Sequence, residues 1–355
     1  MNAAFVFEIL ASLCVQVGIV IAATTVIERW LWQAKAICQL WSACFVVILT
    51  MTASALLLPH VRWIAAPNHE MLLFLNPQRS LLTICISLWS AGLAFVVIRR
   101  AVHCLRLVWF LNSCCAKMTP AEIAALPVEQ TMLPAEIRWL VSDEVIGPFC
   151  WQLHRPTIVL PRYALSEDAQ VLQHMVLHEV EHLRRNHPLQ TFLQGVCGSV
   201  FWFHPAQWIA GRHAALAREY LCDEAAARTK SGVSAYLWTL AKVAERHAAM
   251  PIGSLAFGRR DSAIVRRSQR LTQLTKRPPK CSPARRRFAL VALILVSVGV
   301  SQVWLPLNSH ASSRSRFSPW PAWTASVLHD LGYSVRDFEM FDERHDFDEW
   351  TESHH

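Results

Sequence analysis

Apolar positions gather early in the chain into three nearly unbroken runs, residues 4–27, 37–58 and 81–98, the last ending at Arg99 and Arg100. Each is close to the roughly 20 residues a helix needs to cross the hydrocarbon layer of a membrane. A fourth run, "FALVALILVSVGVSQVWLP" at 288–306, follows directly on Arg285, Arg286 and Arg287. Trp30, Trp41 and Trp304 belong to the same regions, and indole rings favour the headgroup level. The first run has no basic segment before it and passes into "ERW" without a small-residue cleavage site, which predicts a retained span and not a signal peptide. The pattern predicts four transmembrane helices.

Between the third and fourth runs the periodicity changes. Residues 101–136 hold helix-compatible patches broken by Pro120, Pro127 and Pro134, a helical linker. "IRWLVSDEVIGPFCWQLHRPTIVLP", 137–161, has short β-branched and aromatic runs punctuated by Gly147, Pro148, Pro156 and Pro161, which predicts a small sheet. Proline at both ends of "PTIVLP" predicts an edge strand, because proline cannot donate to a central ladder. An edge strand can simply be an edge; beside an active site, Thr157, Ile158, Val159 and Leu160 would be the strand on which an extended substrate pairs. From Ser166 the pattern turns helical, with Ser166 as N-cap, Glu167 and Asp168 in the first turn, and apolar residues at Val171, Leu172, Met175, Val176 and Leu183. After the apolar stretch 189–203, Pro205 starts a further helix.

Charge fixes the expected orientation. The chain has 355 residues, is 53% hydrophobic and carries a formal charge of +8. Arg99, Arg100 and Arg106 flank the long inner segment at one end, and Lys276, Arg277, Lys280 and Arg285 to Arg287 at the other, which predicts a cytoplasmic segment and both termini outside. The basic run 258–270, "GRRDSAIVRRSQR", sits just before a span and is accounted for by anionic lipid headgroups, so membrane lipid is an expected partner and nucleic acid is not. Eleven cysteines with no C-x-x-C spacing are read as small buried hydrophobes. The expected fold class is a mainly α, multi-pass membrane protein: three transmembrane helices (1–100), the linker (101–136), a cytoplasmic α+β domain (137–250), a basic juxtamembrane segment (251–287), the fourth helix (288–306) and a short acidic extracytoplasmic tail, disordered by composition (307–355).

The chemistry lies in "VLHEVEHLRR", 176–185. On a 3.6-residue turn, His178 and His182 project from one face and can meet one metal ion, and Glu179 lies about 100° round from His178. Zinc suits two imidazoles because it accepts nitrogen ligands tetrahedrally, and Glu179 would act as general base on the attacking water. A solvated helix could carry the same letters by chance, but "VL" before the motif and Leu183 after it suit a partly buried helix. An open zinc site needs a third protein ligand. "ALAREYLCDEAAAR" offers Glu219, with Asp223 one turn on to accept a hydrogen bond from a ligand imidazole. Cys222, near the same face, is the softer alternative to Glu219. Taken alone, an acidic i, i+4 pair belongs in water beside arginines.

"HEVEHLRRNH", "FWFHPAQW" and "AREYLCDEAAA", preceded by "GPFCWQLHRPTIVLP", resemble the membrane-embedded gluzincins of the β-lactam-sensor antirepressor family, over roughly 137–244. The resemblance implies a zincin-like metallopeptidase domain between the third and fourth spans. It implies one Zn2+ held by His178, His182 and Glu219, Glu179 as general base, and Asp223 behind the ligands. It further implies an endopeptidase of the bacterial cytoplasmic membrane that cuts a cytoplasmic protein, typically a transcriptional repressor, after an outside signal. His187 stands where the family often has an acidic residue, and Gln152 where it often has glycine. Antibiotic sensors of the family end in a penicillin-binding domain with a Ser-x-x-Lys nucleophile. Residues 307–355 contain no lysine, so β-lactam sensing is not expected of them. A constitutive quality-control peptidase of membrane proteins would share the site, and a scaffold or receptor with a relic site would share the motifs.

Overall fold

The computed structural model describes residues 3–57, 79–129, 136–228, 232–248, 257–276, 283–301 and 304–305. The fold is mainly helical. Helices α1 (Ala3–Glu28) and α2 (Ala34–Leu57) form an antiparallel pair, and α3 (Arg79–Ser113) packs beside α1. Among the described residues these three are long and apolar enough to cross a membrane. The buried faces of α1 and α2 interlock through Val17, Leu40, Trp41 and Ile48. The third helix runs on past Arg99 and Arg100 to Ser113, because residues after the arginines keep helical spacing and no proline interrupts them.

At the Glu28 end of α1 the chain builds an α+β layer. Strands β1 (Ala116–Lys117), β2 (Arg138–Ser142), β3 (Phe149–Trp151) and β4 (Thr157–Pro161) form one sheet in the order β1-β2-β4-β3. The stretch expected to be only a linker thus supplies a strand, and then the short helix α4 (Pro120–Ala124), closed by a capping box between Thr119 and Glu122.

The expected edge strand is internal. β4 pairs in parallel with β2 on one side and antiparallel with β3 on the other, so both of its hydrogen-bonding edges are used and all five residues are buried. Pro156 lies just before the strand and Pro161 is its last residue, at the end of the ladder. Thr157, Ile158, Val159 and Leu160 therefore cannot accept an added strand; the edge beside the cleft is β3. Ile158 and Leu160 bury one face against the helix that follows, while Val159 packs with Leu140 and Leu111 on the other.

Helix α5 (Ala169–Arg184) begins two residues later than the Ser166 cap would place it. Ser166 ends a 3-10 turn and its hydroxyl donates to the Tyr163 carbonyl, while the Asp168 carboxylate caps the helix by accepting from the Gln170 amide at 2.7 Å. Helices α6 (His187–Val200) and α7 (Pro205–Ala226) form a hairpin that runs back along α1 and α2. Helices α8 (Gly232–Ala248) and α9 (Phe257–Lys276) close over α5 and α7, and α10 (Pro283–Ser301) returns along α1 and α2. In α10 Arg285 to Arg287 fill the first turns, so its described apolar part, 288–301, is shorter than α1, α2 and α3. The tail expected at 307–355 lies outside the described residues.

Replacing Leu160 by alanine removes a fully buried side chain from the sheet–α5 contact. The expected cost is about 2–5 kcal/mol, read as a lowered melting midpoint of the purified protein in detergent.

Candidate metal centre

Helix α5 presents His174, His178 and His182 on one face, at i, i+4 and i+8. The facing helix α7 brings Glu219 opposite them. His178 Nε2 and His182 Nε2 are 3.2 Å apart, and each is 3.5 Å from an oxygen of the Glu219 carboxylate. Three donor groups from two helices thus bound one point. Glu219 keeps a third of its side chain exposed to a cleft of about 570 Å3, whose walls include β3, α5 and Arg267.

Asp223, one turn beyond Glu219, is 1% exposed. It accepts from the Tyr236 hydroxyl of α8 at 2.7 Å and from Arg267 of α9 at 2.8 and 2.6 Å, and its Oδ1 lies 3.3 Å from His178 Nδ1. Tyr236 Oη is also 3.0 Å from that nitrogen. Arg267 further reaches the Glu219 carboxylate at 3.1 Å.

The other imidazole is braced differently. His182 Nδ1 lies 3.0 Å from His187 Nδ1, and Cys222 Sγ lies 3.5 Å from that same nitrogen. His187 can fold back this way because Asn186 takes a left-handed conformation, φ 54°, which asparagine tolerates better than most residues. His182, His187 and Cys222 form a second close group of metal-ligating side chains. It shares His182 through the ring nitrogen that faces away from Glu219, and the buried Arg218 guanidinium beside it opposes a further cation. That group is a support for His182, and Cys222 stands behind the three donors and not among them.

The two carboxylates set the charge of the cluster. Burial pulls His178 down, but its bonds to Asp223 and Glu219 outweigh that and raise it to about 10. Burial, and then the neighbouring His178 charge, lower His182 to about 4, so that its ring stays neutral with a lone pair. Burial opposes ionisation of Glu219, yet His178 and Arg267 hold its carboxyl well below the usual carboxylate range. Glu179 projects beside the cluster and is 6% exposed. Burial raises its carboxyl to about 7 against the opposing pull of His178, and the Cys150 thiol of β3 hydrogen-bonds to it.

The four residues expected at the centre, with Asp223, are therefore brought together, and β4, the strand expected to pair with a substrate, has no free edge. Tyr236, Arg267 and Cys150 were not singled out in the sequence for this site, and His187 was noted only as standing where the family often has an acidic residue. Arg267 and Arg270 belong to the run assigned to lipid headgroups, but Arg267 is in the centre and Arg270 bonds Glu224 at 3.3 Å and the Trp32 carbonyl. The headgroup assignment does not describe these two residues.

A helical membrane protein with paired histidines, a facing glutamate and a buried carboxyl in a cleft defines a class, the membrane metallopeptidases. The chain belongs to the BlaR1 peptidase M56 family, whose model matches residues 74–270, from the stretch before α3 into α9. The regulatory protein BlaR1 of Bacillus licheniformis is 29% identical over 88 residues, 25% of this chain. The match spans 15% of that relative's length.

Arg267→Gln leaves the Asp223 carboxylate buried without its paired cation, an expected loss of about 3–5 kcal/mol. Arg267→Lys should recover only part of it, since an ammonium cannot bond one carboxylate through two parallel N–H groups. Thermal unfolding of the detergent-purified variants measures both, and a glutamine variant as stable as the wild type would contradict the bridge.

Proposed function

We propose that the chain is a zinc endopeptidase of the bacterial cytoplasmic membrane that hydrolyses a peptide bond of a cytoplasmic protein, in regulatory proteolysis of a transcriptional repressor or a similar signalling target. The observation that carries the reading is the triangle of His178, His182 and Glu219 donors with edges of 3.2, 3.5 and 3.5 Å. A tetrahedral zinc with ligands about 2.0–2.1 Å away has donors about 3.3–3.4 Å apart, so the residues fit the ion. His178, His182 and Glu219 would hold it; when bound, zinc supplies a Lewis acid for the attacking water and the scissile carbonyl.

The chain's own groups do the rest. Glu179 takes a proton from the attacking water and later delivers it to the leaving amine. Asp223 accepts from His178 Nδ1–H, which keeps the Nε2 lone pair turned to the ion, and Tyr236 and Arg267 hold Asp223 in place. His187 does for His182 what a carboxylate would otherwise do. The free edge of β3, residues Phe149 to Trp151, borders the cleft and offers backbone groups to an extended substrate, which makes it the substrate strand in place of Thr157 to Leu160.

The topology proposed with this activity has α10 as a fourth span and both termini outside. Its support is that α10 reaches the middle of α1, and Trp304 just beyond it meets the far end. The Gln16 side chain donates to the Ser301 carbonyl at 3.3 Å, and the Trp304 indole donates to Glu8. The arginines at both ends of the inner segment favour the cytoplasm for the peptidase layer.

Glu179→Gln should keep one zinc per chain and lose about 10²–10⁴-fold in peptide hydrolysis. His178→Ala and Glu219→Ala should lose the zinc as well, measured by metal analysis of purified protein. In the native host, proteomics of Glu179→Gln against wild type should show one cytoplasmic regulator accumulating; a broad set of accumulating membrane proteins would overturn the regulatory assignment while leaving the peptidase intact.

A further inference from the structure

We propose that the α6–α7 hairpin is a re-entrant membrane element, entering the hydrocarbon from the peptidase side and turning back near its middle, with Val196, Phe203, Trp208 and Ile209 in contact with lipid acyl chains.

The hairpin's tip is tied to the interior positions of all three long helices. The Cys197 thiol donates to the Phe45 carbonyl of α2 at 3.4 Å, and His204 Nε2 lies 3.0 Å from the Cys14 carbonyl of α1. The Trp89 indole of α3 donates to the Val200 carbonyl at 3.1 Å, and the Trp202 indole donates back to the Trp89 carbonyl at 3.4 Å. Cys14, Phe45 and Trp89 lie well inside their candidate spans.

A belt of arginines marks where the insertion begins. Arg100 of α3 lies against Gly195, where an added Cβ would come within 2.5 Å of the guanidinium. Gln194, next to it, donates to the Gly211 carbonyl across the hairpin at 3.3 Å, so exposed Arg212 stands at the same level. Such side chains keep their heads at the interface while their stems lie along apolar surface. From Arg100 to Trp89 along α3 is about 16 Å at 1.5 Å per residue. A hydrocarbon layer about 30 Å thick has its midplane at about 15 Å.

Beyond the belt, the large exposed side chains are apolar. Val196, Phe203, Trp208 and Ile209 are 36–56% exposed, and the polar side chain of Gln207 is buried. The turn itself is equipped for a dry setting, where non-helical backbone is tolerated only when protein satisfies it. Besides the Trp89 bond to Val200, the Trp208 indole donates to the Trp202 carbonyl at 3.2 Å. Gly92 has no side chain because the Trp202 ring lies where its Cβ would be, 2.2 Å away. The occupant of the exposed face is set by continuity: it lies at the depth of α3, whose Leu88 and Phe95 are exposed to the same layer.

Trp208 and Trp238 form a matched pair for the test, being 56% and 65% exposed, one on the hairpin and one on α8 of the peptidase layer. With the full chain in phospholipid vesicles, hydroxyl-radical footprinting should oxidise Trp208 at least tenfold more slowly than Trp238. Equal rates would overturn the proposal. A phospholipid carrying a diazirine midway along its acyl chain should label the peptide holding 196–209 to within about threefold of the α3 peptide holding Leu88 and Phe95. Labelling of α3 without the hairpin overturns lipid contact, and if crosslinks between two copies appear through the hairpin face instead, a second copy is the occupant and the proposal fails. Neither readout depends on peptidase activity or bound metal.

Discussion

The buried carboxylate of Asp223 is the interaction on which the peptidase layer depends. Removed from water at 1% exposure, it needs cations and donors, and it draws them from three other helices: His178 from α5, Tyr236 from α8 and Arg267 from α9. Desolvating such a charge is unfavourable by several kcal/mol unless geometry and hydrogen bonds offset it, so its partners are held to narrow positions. One consequence is local: His178 is fixed at Nδ1 and its Nε2 is aimed at Glu219. The other is architectural. Helices α8 and α9, which have no ligand of their own, are drawn over the centre and close the cleft.

Much of this was legible in the sequence where the interaction is local. The four-residue spacing of His178 and His182, and of Glu219 and Asp223, states a shared helical face, and the helices follow it. The apolar runs near the start became α1, α2 and α3. What was not legible depends on tertiary placement. Nothing in "SAYLWTL" marks Tyr236 as a partner of a carboxylate thirteen positions back. Arg267 sits in a run whose charge is well explained by a membrane surface, and only the path of α9 turns it inward. For β4, prolines were read as a mark of an edge strand. At the ends of a five-residue strand their missing N–H groups cost the ladder nothing, and the strand is the best buried of the four.

His187 shows a different limit. The bracing of a metal-site imidazole is usually supplied by an oxygen acceptor, so the sequence marks His187 only as a departure at an acidic position and gives it no role. The structure puts a neutral, buried imidazole there, lowered chiefly by burial and also by the nearby Arg218 guanidinium. Such a ring accepts from His182 without adding negative charge to a centre that already holds Glu179, Glu219 and Asp223. Its other nitrogen lies 3.7 Å from the Cys38 thiol of α2, so the support of His182 rests on a transmembrane helix.

Helix α7 carries this coupling along its length. It starts at the turn where His204 meets the Cys14 carbonyl of α1, passes His213, which lies 2.7 Å from the Glu28 carboxylate at the end of α1, and continues without a break to Glu219 and Asp223. No proline or glycine pair interrupts the helix after its first turn, so it has none of the usual places to kink. A shift of α1 along its axis must therefore break both contacts or carry Glu219 with it, by a distance that matters against donor edges of 3.2–3.5 Å. The donor cluster and the membrane helices are thus joined through one continuous helix, and the geometry of the donors is set as much by packing along the long helices as by the cleft itself.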